Sequence, residues 1–214
     1  MKAVILTGGD WPEAQRIQNA ILGADAILCC DGAAQRALKY GLVPDVLVGD
    51  MDSITKQALA QLQCGSVAIK QLPCRKDMTD TFEACDIALE KGATHVVLIG
   101  GFGQRMDHSL GNVHCLMHLC TQGAFTQVES GDVTAYAIRG KLTLHGQQGK
   151  TFSLIPLLPH TRIARLTGAS YPLQDAALPM EQTLGISNIA VHEELYVDVD
   201  GGMALLILNH TLPK

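Results

Sequence analysis

The first part of the chain alternates unbroken apolar runs with stretches of helical period. The runs fall at residues 3–6, 26–30, 46–48, 67–72, 95–99 and 125–129, the fourth being the least regular. Between them, helical patterns extend from Asp10, with Pro12 near the first turn, to about residue 22, and from Gly32 to Tyr40, with Gly41 as a stop. Three more cover 54–63, 80–91 (stopped by Gly92) and about 109–120. Strands alternating with helices of this length predict a parallel, doubly wound sheet. After residue 139 the period changes. Short β-like runs at 141–145, 151–157, 162–166, 195–199 and 204–209 are separated by Gly, Pro and Asp. The prediction is an α/β chain. A parallel α/β (Rossmann-like) domain over residues 1–139 precedes a small all-β sandwich over residues 140–214.

In a doubly wound sheet, ligands bind beyond the carboxyl ends of the strands. The unusual polar residues of the first domain all fall there: Gly8-Gly9, Asp31, Asp50 and Asp52, Asp77 and Asp80, and Gly100 to His108. Two carboxylates ~4 Å apart oppose each other by ~4 kcal/mol at an effective dielectric near 20. A sheet edge that gathers several is expected to hold a cation, and Mg²⁺ fits a shell of a few carboxylates plus substrate phosphates.

Each cluster also has a plainer reading. On an extended chain Asp50 and Asp52 share one face, ~6.6 Å apart, and can grip a cation; the same Gly-Asp-Met-Asp-Ser string also suits a turn. Asp77 and Asp107 both precede helical patterns, where a carboxylate serves as an N-cap, and Asp80 suits a helix first turn. Arg105 follows Gly100-Gly101-Phe102-Gly103, a loop able to admit phosphates beside a guanidinium fork. It matches neither the P-loop nor the dinucleotide fingerprint.

Composition narrows the picture. With 47% hydrophobic and 17% charged residues, the 214-residue chain can bury a sizeable core. A net charge of −5 without a basic stripe argues against nucleic acid, Arg75-Lys76 being the sole adjacent basic pair. No apolar run is long enough to span a bilayer, and Met1-Lys2 leads directly into a strand-like run. The seven cysteines include no C-x-x-C pair and read as reduced residues of a cytoplasmic protein. His114 and His118 are spaced i,i+4 but lack the glutamate of a zinc-protease helix.

Taken as an ordered set, these motifs resemble the thiamine pyrophosphokinase family. The set comprises Asp31-Gly32, Pro44-Asp45, Gly49-Asp50-Met51-Asp52-Ser53, Asp77-Met78-Thr79-Asp80 and Gly100 to His108. The second domain adds Tyr171-Pro172-Leu173 and Thr183-Leu184-Gly185-Ile186-Ser187-Asn188. The resemblance implies pyrophosphoryl transfer from ATP to thiamine with Mg²⁺, in a homodimer whose active site lies at the subunit interface. It implies Asp50, Asp52 and Asp77 at the metal and Arg105 among the catalytic residues. It places Asp31, Asp80, Arg105, Asp107 and Asn112 around ATP and thiamine, with Ser187 and Asn188 approaching thiamine. The chain departs from the family pattern at Ala33 and Gln35, at Gln104 and at Ile189. Its sole tryptophan, Trp11, lies outside the second domain. Two alternatives stand beside it: a different Mg²⁺-dependent phosphotransferase or phosphohydrolase using the same acidic edge, and a non-catalytic nucleotide sensor, which has no need of so many metal-type carboxylates.

Overall fold

The structure, a computed structural model, describes residues 1–75 and 77–211, so Lys76 of the basic pair lies outside the described residues. The chain is mixed α/β with extensive sheet, and it divides into two compact units, Met1–Gly131 and Asp132–Lys214. The division comes earlier than residue 139 because Val133–His145 is one continuous strand. No described helix is long and apolar enough to cross a membrane.

In the first unit, β1 (Lys2–Leu6), β2 (Ala26–Cys30), β3 (Val46–Gly49), β4 (Ala68–Gln71), β5 (His95–Ile99) and β6 (Phe125–Ser130) are all parallel, in the order β4-β3-β2-β1-β5-β6. The central strands are buried along nearly their whole length, which is why they read as unbroken apolar runs. β4, at the edge, is exposed at every position, which explains its weak signal. The strand order reverses at β1, which has β2 on one side and β5 on the other. A crevice opens at the carboxyl end of such a reversal.

The helices are α1 (Ala14–Ile21), α2 (Ala34–Lys39), α3 (Lys56–Gln63), α4 (Asp80–Glu90) and α5 (Met106–Thr121). Their starts correct three expectations. Asp10 does not begin α1. Its N–H donates to the Phe102 carbonyl at 2.6 Å, and its own carbonyl accepts from the Gly131 N–H and the Ser130 hydroxyl. Asp77 does not cap α4; Thr79 does, its Oγ1 accepting from the Phe82 N–H at 3.3 Å. Asp107 lies inside the first turn of α5, which starts before residue 109 with Arg105 at its cap position and no side-chain cap. In each case the position in the chain decides: the backbone of Asp10 is held by the neighbouring loops, Asp77 lies before the Thr79 cap, and Asp107 is already inside the helix.

The second unit contains β7 (Val133–His145), β8 (Thr151–Pro156), β9 (Arg162–Thr167), β10 (Leu173–Ala177), β11 (Asn188–Ile189) and β12 (Glu194–Asn209), every pairing antiparallel. The runs 195–199 and 204–209 belong to the single strand β12. Its first half pairs with β9 and its second half with β8. The register breaks at Gly201-Gly202; Gly202 has φ +70°, and a Cβ there would stand 2.6 Å from Thr161 Oγ1. Phe152, Leu154, Ile163, Leu166, Val197 and Leu206 form part of this unit's own core.

Candidate active site

Two loops meet at the strand-order reversal. Thr7-Gly8-Gly9 leaves β1, and Gly100–Gln104 leaves β5. The Thr7 hydroxyl bonds the carbonyls of Ile99 (2.9 Å) and Gly100 (2.5 Å), and the Gly9 N–H donates to Gly100 O at 2.9 Å. The glycines serve this seam before they serve a ligand. A Cβ on Gly9 would lie 2.2 Å from Phe102 O, one on Gly100 2.6 Å from Trp11 Cδ1, and one on Gly101 2.9 Å from Val128 Cγ1. Gly8 alone among them faces open space. The loops border a cleft of about 400 Å³, completed by Asp10, Arg36, Thr81, Arg105, His108, Ser109 and Asn112.

Asp31, Asp50 and Asp52 form the carboxylate group of the first unit, each with one oxygen within 4.8 Å of the other two. Asp31 ends β2 in a tight 3-10 turn and is only 4% exposed. Gly49 makes room for it, since a Cβ there would sit 2.8 Å from Asp31 Cγ. Asp50 and Asp52 are not on an extended strand, as their spacing suggested. β3 stops at Gly49 and the chain turns through Met51, whose φ of +66° is left-handed. That conformation costs about 1–3 kcal/mol for a non-glycine residue. Within the turn the Asp52 N–H reaches Asp50 Oδ1 at 3.3 Å, and the Ser53 hydroxyl donates to Asp52 Oδ1 at 2.8 Å. Turn and candidate site are therefore one object.

Burial raises the pKa of Asp31 above its usual 3.8, and the Asp80 and Asp50 charges add to the rise. The N–H groups of Ser53 and Gly32 offset it in part. Asp80 opens α4 and enters the site through this field. Asp77 is exposed and stands outside the carboxylate group.

The other expected residues of this unit behave differently. Arg105 and Asp107 make a two-pronged pair, with Nε to Oδ1 at 3.2 Å and Nη2 to Oδ2 at 2.5 Å. Their side chains are 70% and 65% exposed. The hydrogen bond from Arg105 holds the Asp107 carboxyl down at about 2, and the same bond raises the Arg105 pKa. Asn112 is buried and its amide donates to Gly101 O at 2.6 Å, which pins the glycine loop. Ser109 does the same at Gly103, accepting that residue's N–H at 3.1 Å. Cys29 and Cys30 lie buried just before Asp31. Burial pushes the Cys29 thiol up to about 12, which makes it a core group rather than a nucleophile.

In the second unit, a hollow of about 260 Å³ is lined by Tyr171, Leu173, Thr183, Leu184, Gly185, Ile186 and Asn188. Asn188 is only 4% exposed. Its Oδ1 accepts from the N–H groups of Tyr171 (3.0 Å) and Ile189 (2.8 Å), and its Nδ2 donates to Tyr171 O at 2.8 Å. The amide thus holds the backbone of Tyr171, whose ring is 72% exposed. Ser187 is exposed, with φ +58° and its N–H bonded to Ser153 Oγ at 3.1 Å.

Sequence reading missed Arg36, Thr7 and Ser109. Helical pattern alone does not distinguish Arg36 from a solvated surface arginine. The parallel order of β1 and β5 is what makes Thr7 a neighbour of Gly100.

Residues 17–128 match the family model described as thiamin pyrophosphokinase, catalytic domain, and residues 141–204 match thiamin pyrophosphokinase, vitamin B1 binding domain. The chain is 29% identical over 172 residues to the thiamine pyrophosphokinase of Bacillus subtilis, covering 79% of this chain and 80% of that protein. A crystal structure of thiamine pyrophosphokinase from Bacillus subtilis superposes with a TM-score of 0.86 at 24% identity, covering 99% of this chain and 100% of the other. The thiamin pyrophosphokinase of Geobacillus thermodenitrificans gives 0.82 at 25% identity, covering 98% and 97%. The yeast enzyme gives 0.81 at 15% identity, covering 97% and 85%, a likeness of fold.

Proposed function

The chain belongs to the thiamin pyrophosphokinase family, and from that premise we propose that it moves the pyrophosphoryl group of ATP to thiamine at the carboxyl edge of its parallel strands. It is a transferase that makes thiamine diphosphate, with AMP as the other product. The first unit is read as a Rossmann-like ATP domain and the second as a thiamine-binding β-sandwich. The homodimer with its active site at the subunit interface, and a cytoplasmic setting, belong to the same reading.

The observation that carries it is the trio Asp31, Asp50 and Asp52 beside the glycine-bordered cleft. All its donors are carboxylate oxygens, which suit a hard cation such as Mg²⁺. Burial first, and the Asp80 and Asp50 charges after it, make the ionised Asp31 unfavourable, a cost that a bound cation would relieve. Asp50, Asp52 and Asp31 would hold the ion; the family resemblance adds Asp77. Bound Mg²⁺ supplies Lewis acidity toward phosphate oxygens.

In the transfer, the thiamine hydroxyl oxygen bonds to the β-phosphorus and gives up its proton. The bond from that phosphorus to the oxygen of the α-phosphate breaks, so charge collects on departing AMP. Arg105, at the mouth of the cleft, is suited to that charge through its planar fork. Asp107 orients the fork, Asn112 fixes the loop behind it, and Asp80 adds to the acidic field. The hollow at Tyr171 fits the flat, cationic rings of thiamine, because an exposed phenol ring gains from both stacking and a cation. Asn188 shapes this hollow by holding Tyr171, and Ser187 lies beside it in sequence.

Incubation with ATP, Mg²⁺ and thiamine tests the reading. Equal amounts of AMP and thiamine diphosphate are expected. ADP with inorganic phosphate would indicate a phosphohydrolase, and nucleotide binding without turnover a sensor.

A further inference from the structure

The arginine at the mouth of the cleft shares its fork with Asp107, whereas a second arginine bordering the same cleft is bound to no carboxylate among the described residues. Arg36, on α2, makes no ion pair among the described residues. One of its Nη1 hydrogens goes to the Gly9 carbonyl, and its guanidinium carbon stands 5.6 Å from the centre of the Trp11 ring. Trp11 is itself fixed. Its Nε1–H donates to Thr7 O at 2.8 Å, its edge fills the space a Gly100 Cβ would need, and Tyr40 flanks it at 5.4 Å between ring centres. The indole therefore forms a rigid plate under a charged side chain. Guanidinium over indole is a favourable arrangement that leaves the in-plane donors open.

Arg36 also stands between two spaces. On one side is the glycine-bordered cleft, where Asp10 is the lining carboxylate. On the other is a hollow of about 380 Å³ bounded by Gly32, Gln35, Lys39 and Ser53. Ser53 borders the trio, its hydroxyl on Asp52 and its N–H toward Asp31 Oδ2 at 3.5 Å. A second cation, Lys39, lines this hollow. A chain of phosphates lying between the glycine loops and the carboxylates meets Arg36 on its way.

We propose that Arg36, braced by Trp11, is a substrate-binding residue that grips the polyphosphate of ATP between the glycine cleft and the carboxylate trio. The proposal rests on the pyrophosphokinase reading for the identity of the nucleotide. Its chemistry is a guanidinium fork that pairs with no carboxylate among the described residues, next to a site otherwise dominated by negative charge. Loss of such a charge-assisted, two-pronged contact weakens binding by about tenfold or more.

The full-length protein with Mg²⁺ provides the test, using Arg36→Gln and Arg36→Lys. For both variants the KM for ATP should rise, by about tenfold in Arg36→Gln and less in Arg36→Lys, while the KM for thiamine stays within about twofold. Trp11 is the sole tryptophan, so its emission reports on this one place. ATP without thiamine should change that emission in the wild type, and the titration midpoint should move with the KM in the variants. If Arg36→Gln does not fold, Arg36→Lys, which keeps a donor for Gly9 O, decides alone. An unchanged KM for ATP with an unchanged titration midpoint in the folded variant overturns the proposal. Product analysis of the wild type tests the pyrophosphokinase reading separately: the emission titration still judges Arg36 even if thiamine is not the acceptor.

Discussion

The carboxylate turn of the first unit and the Tyr171 hollow of the second use buried polar groups in opposite ways. Asp31 is as buried as Asn188, each at 4% exposure. Asn188 spends its amide on the backbone of Tyr171 and Ile189, so it reads as scaffold. Burial raises the pKa of Asp31, and the Asp80 and Asp50 charges add to the rise, which the N–H groups of Ser53 and Gly32 only partly offset. A fold does not keep an uncompensated carboxylate for its own stability. The contrast teaches where function lies: in groups whose environment remains unfavourable until something binds, not in groups that are merely buried.

The comparison is broken most forcefully at Asp52. Asp52→Asn keeps the turn, since an amide oxygen can still accept from the Ser53 hydroxyl. Its kcat should fall by about a hundredfold or more, the scale of losing one electrostatic stabiliser. Circular dichroism should show an intact fold; near-normal turnover would place the metal elsewhere. A smaller effect is expected at Arg105. Arg105→Lys keeps the charge but loses the fork, and kcat should drop by about tenfold. Steady-state kinetics with saturating ATP measures it.

On the other side of the comparison, Asn188→Ala leaves the Tyr171 N–H and carbonyl without their partner. Stability should fall by roughly 1–3 kcal/mol in urea unfolding. The KM for thiamine should rise with the displaced ring, while the KM for ATP holds. A rise in the KM for ATP of the same size would show that the two regions are not separable in this way.

Much of this layout was legible in the chain, for identifiable reasons. β1, β2, β3 and β5 announced themselves because both faces are buried. The carboxyl-edge rule gathers Asp31, Asp50, Asp52, Asp77 and Asp80 into one neighbourhood, of which the structure brings Asp31, Asp50 and Asp52 together and leaves Asp77 exposed outside them. What stayed hidden depends on contacts distant in sequence. Asp10 looked like a cap because nothing local reveals its bonds to Phe102 and Gly131. β12 looked like two strands because the Gly201-Gly202 break interrupts its alternation. The glycines of the 100–103 loop looked like phosphate contacts, whereas three-dimensional packing against Trp11, Val128 and Gly9 is what forbids a side chain there. The pairing of Arg105 with Asp107 and the freedom of Arg36 likewise belong to side-chain placement, which hydrophobic period does not record.

The finest test concerns Asp31 itself. Its pKa is raised in the fold, so the protonated form is the one the fold favours. That contribution to stability is present below the ordinary value of 3.8 and is lost as pH rises through the raised value. Near neutral pH the charged carboxylate is therefore a liability that Asn, isosteric and uncharged, removes. The decisive measurement is the thermal midpoint of wild type and Asp31→Asn at neutral pH, with EDTA and with Mg²⁺. The account predicts that Asp31→Asn melts higher than the wild type in EDTA. It also predicts that Mg²⁺ raises the wild-type midpoint more than the variant's, and that the EDTA difference shrinks as pH falls toward 3.8. A variant that melts lower in EDTA, with the same response to Mg²⁺ as the wild type, would contradict the claim that these carboxylates are held against their own repulsion for a cation.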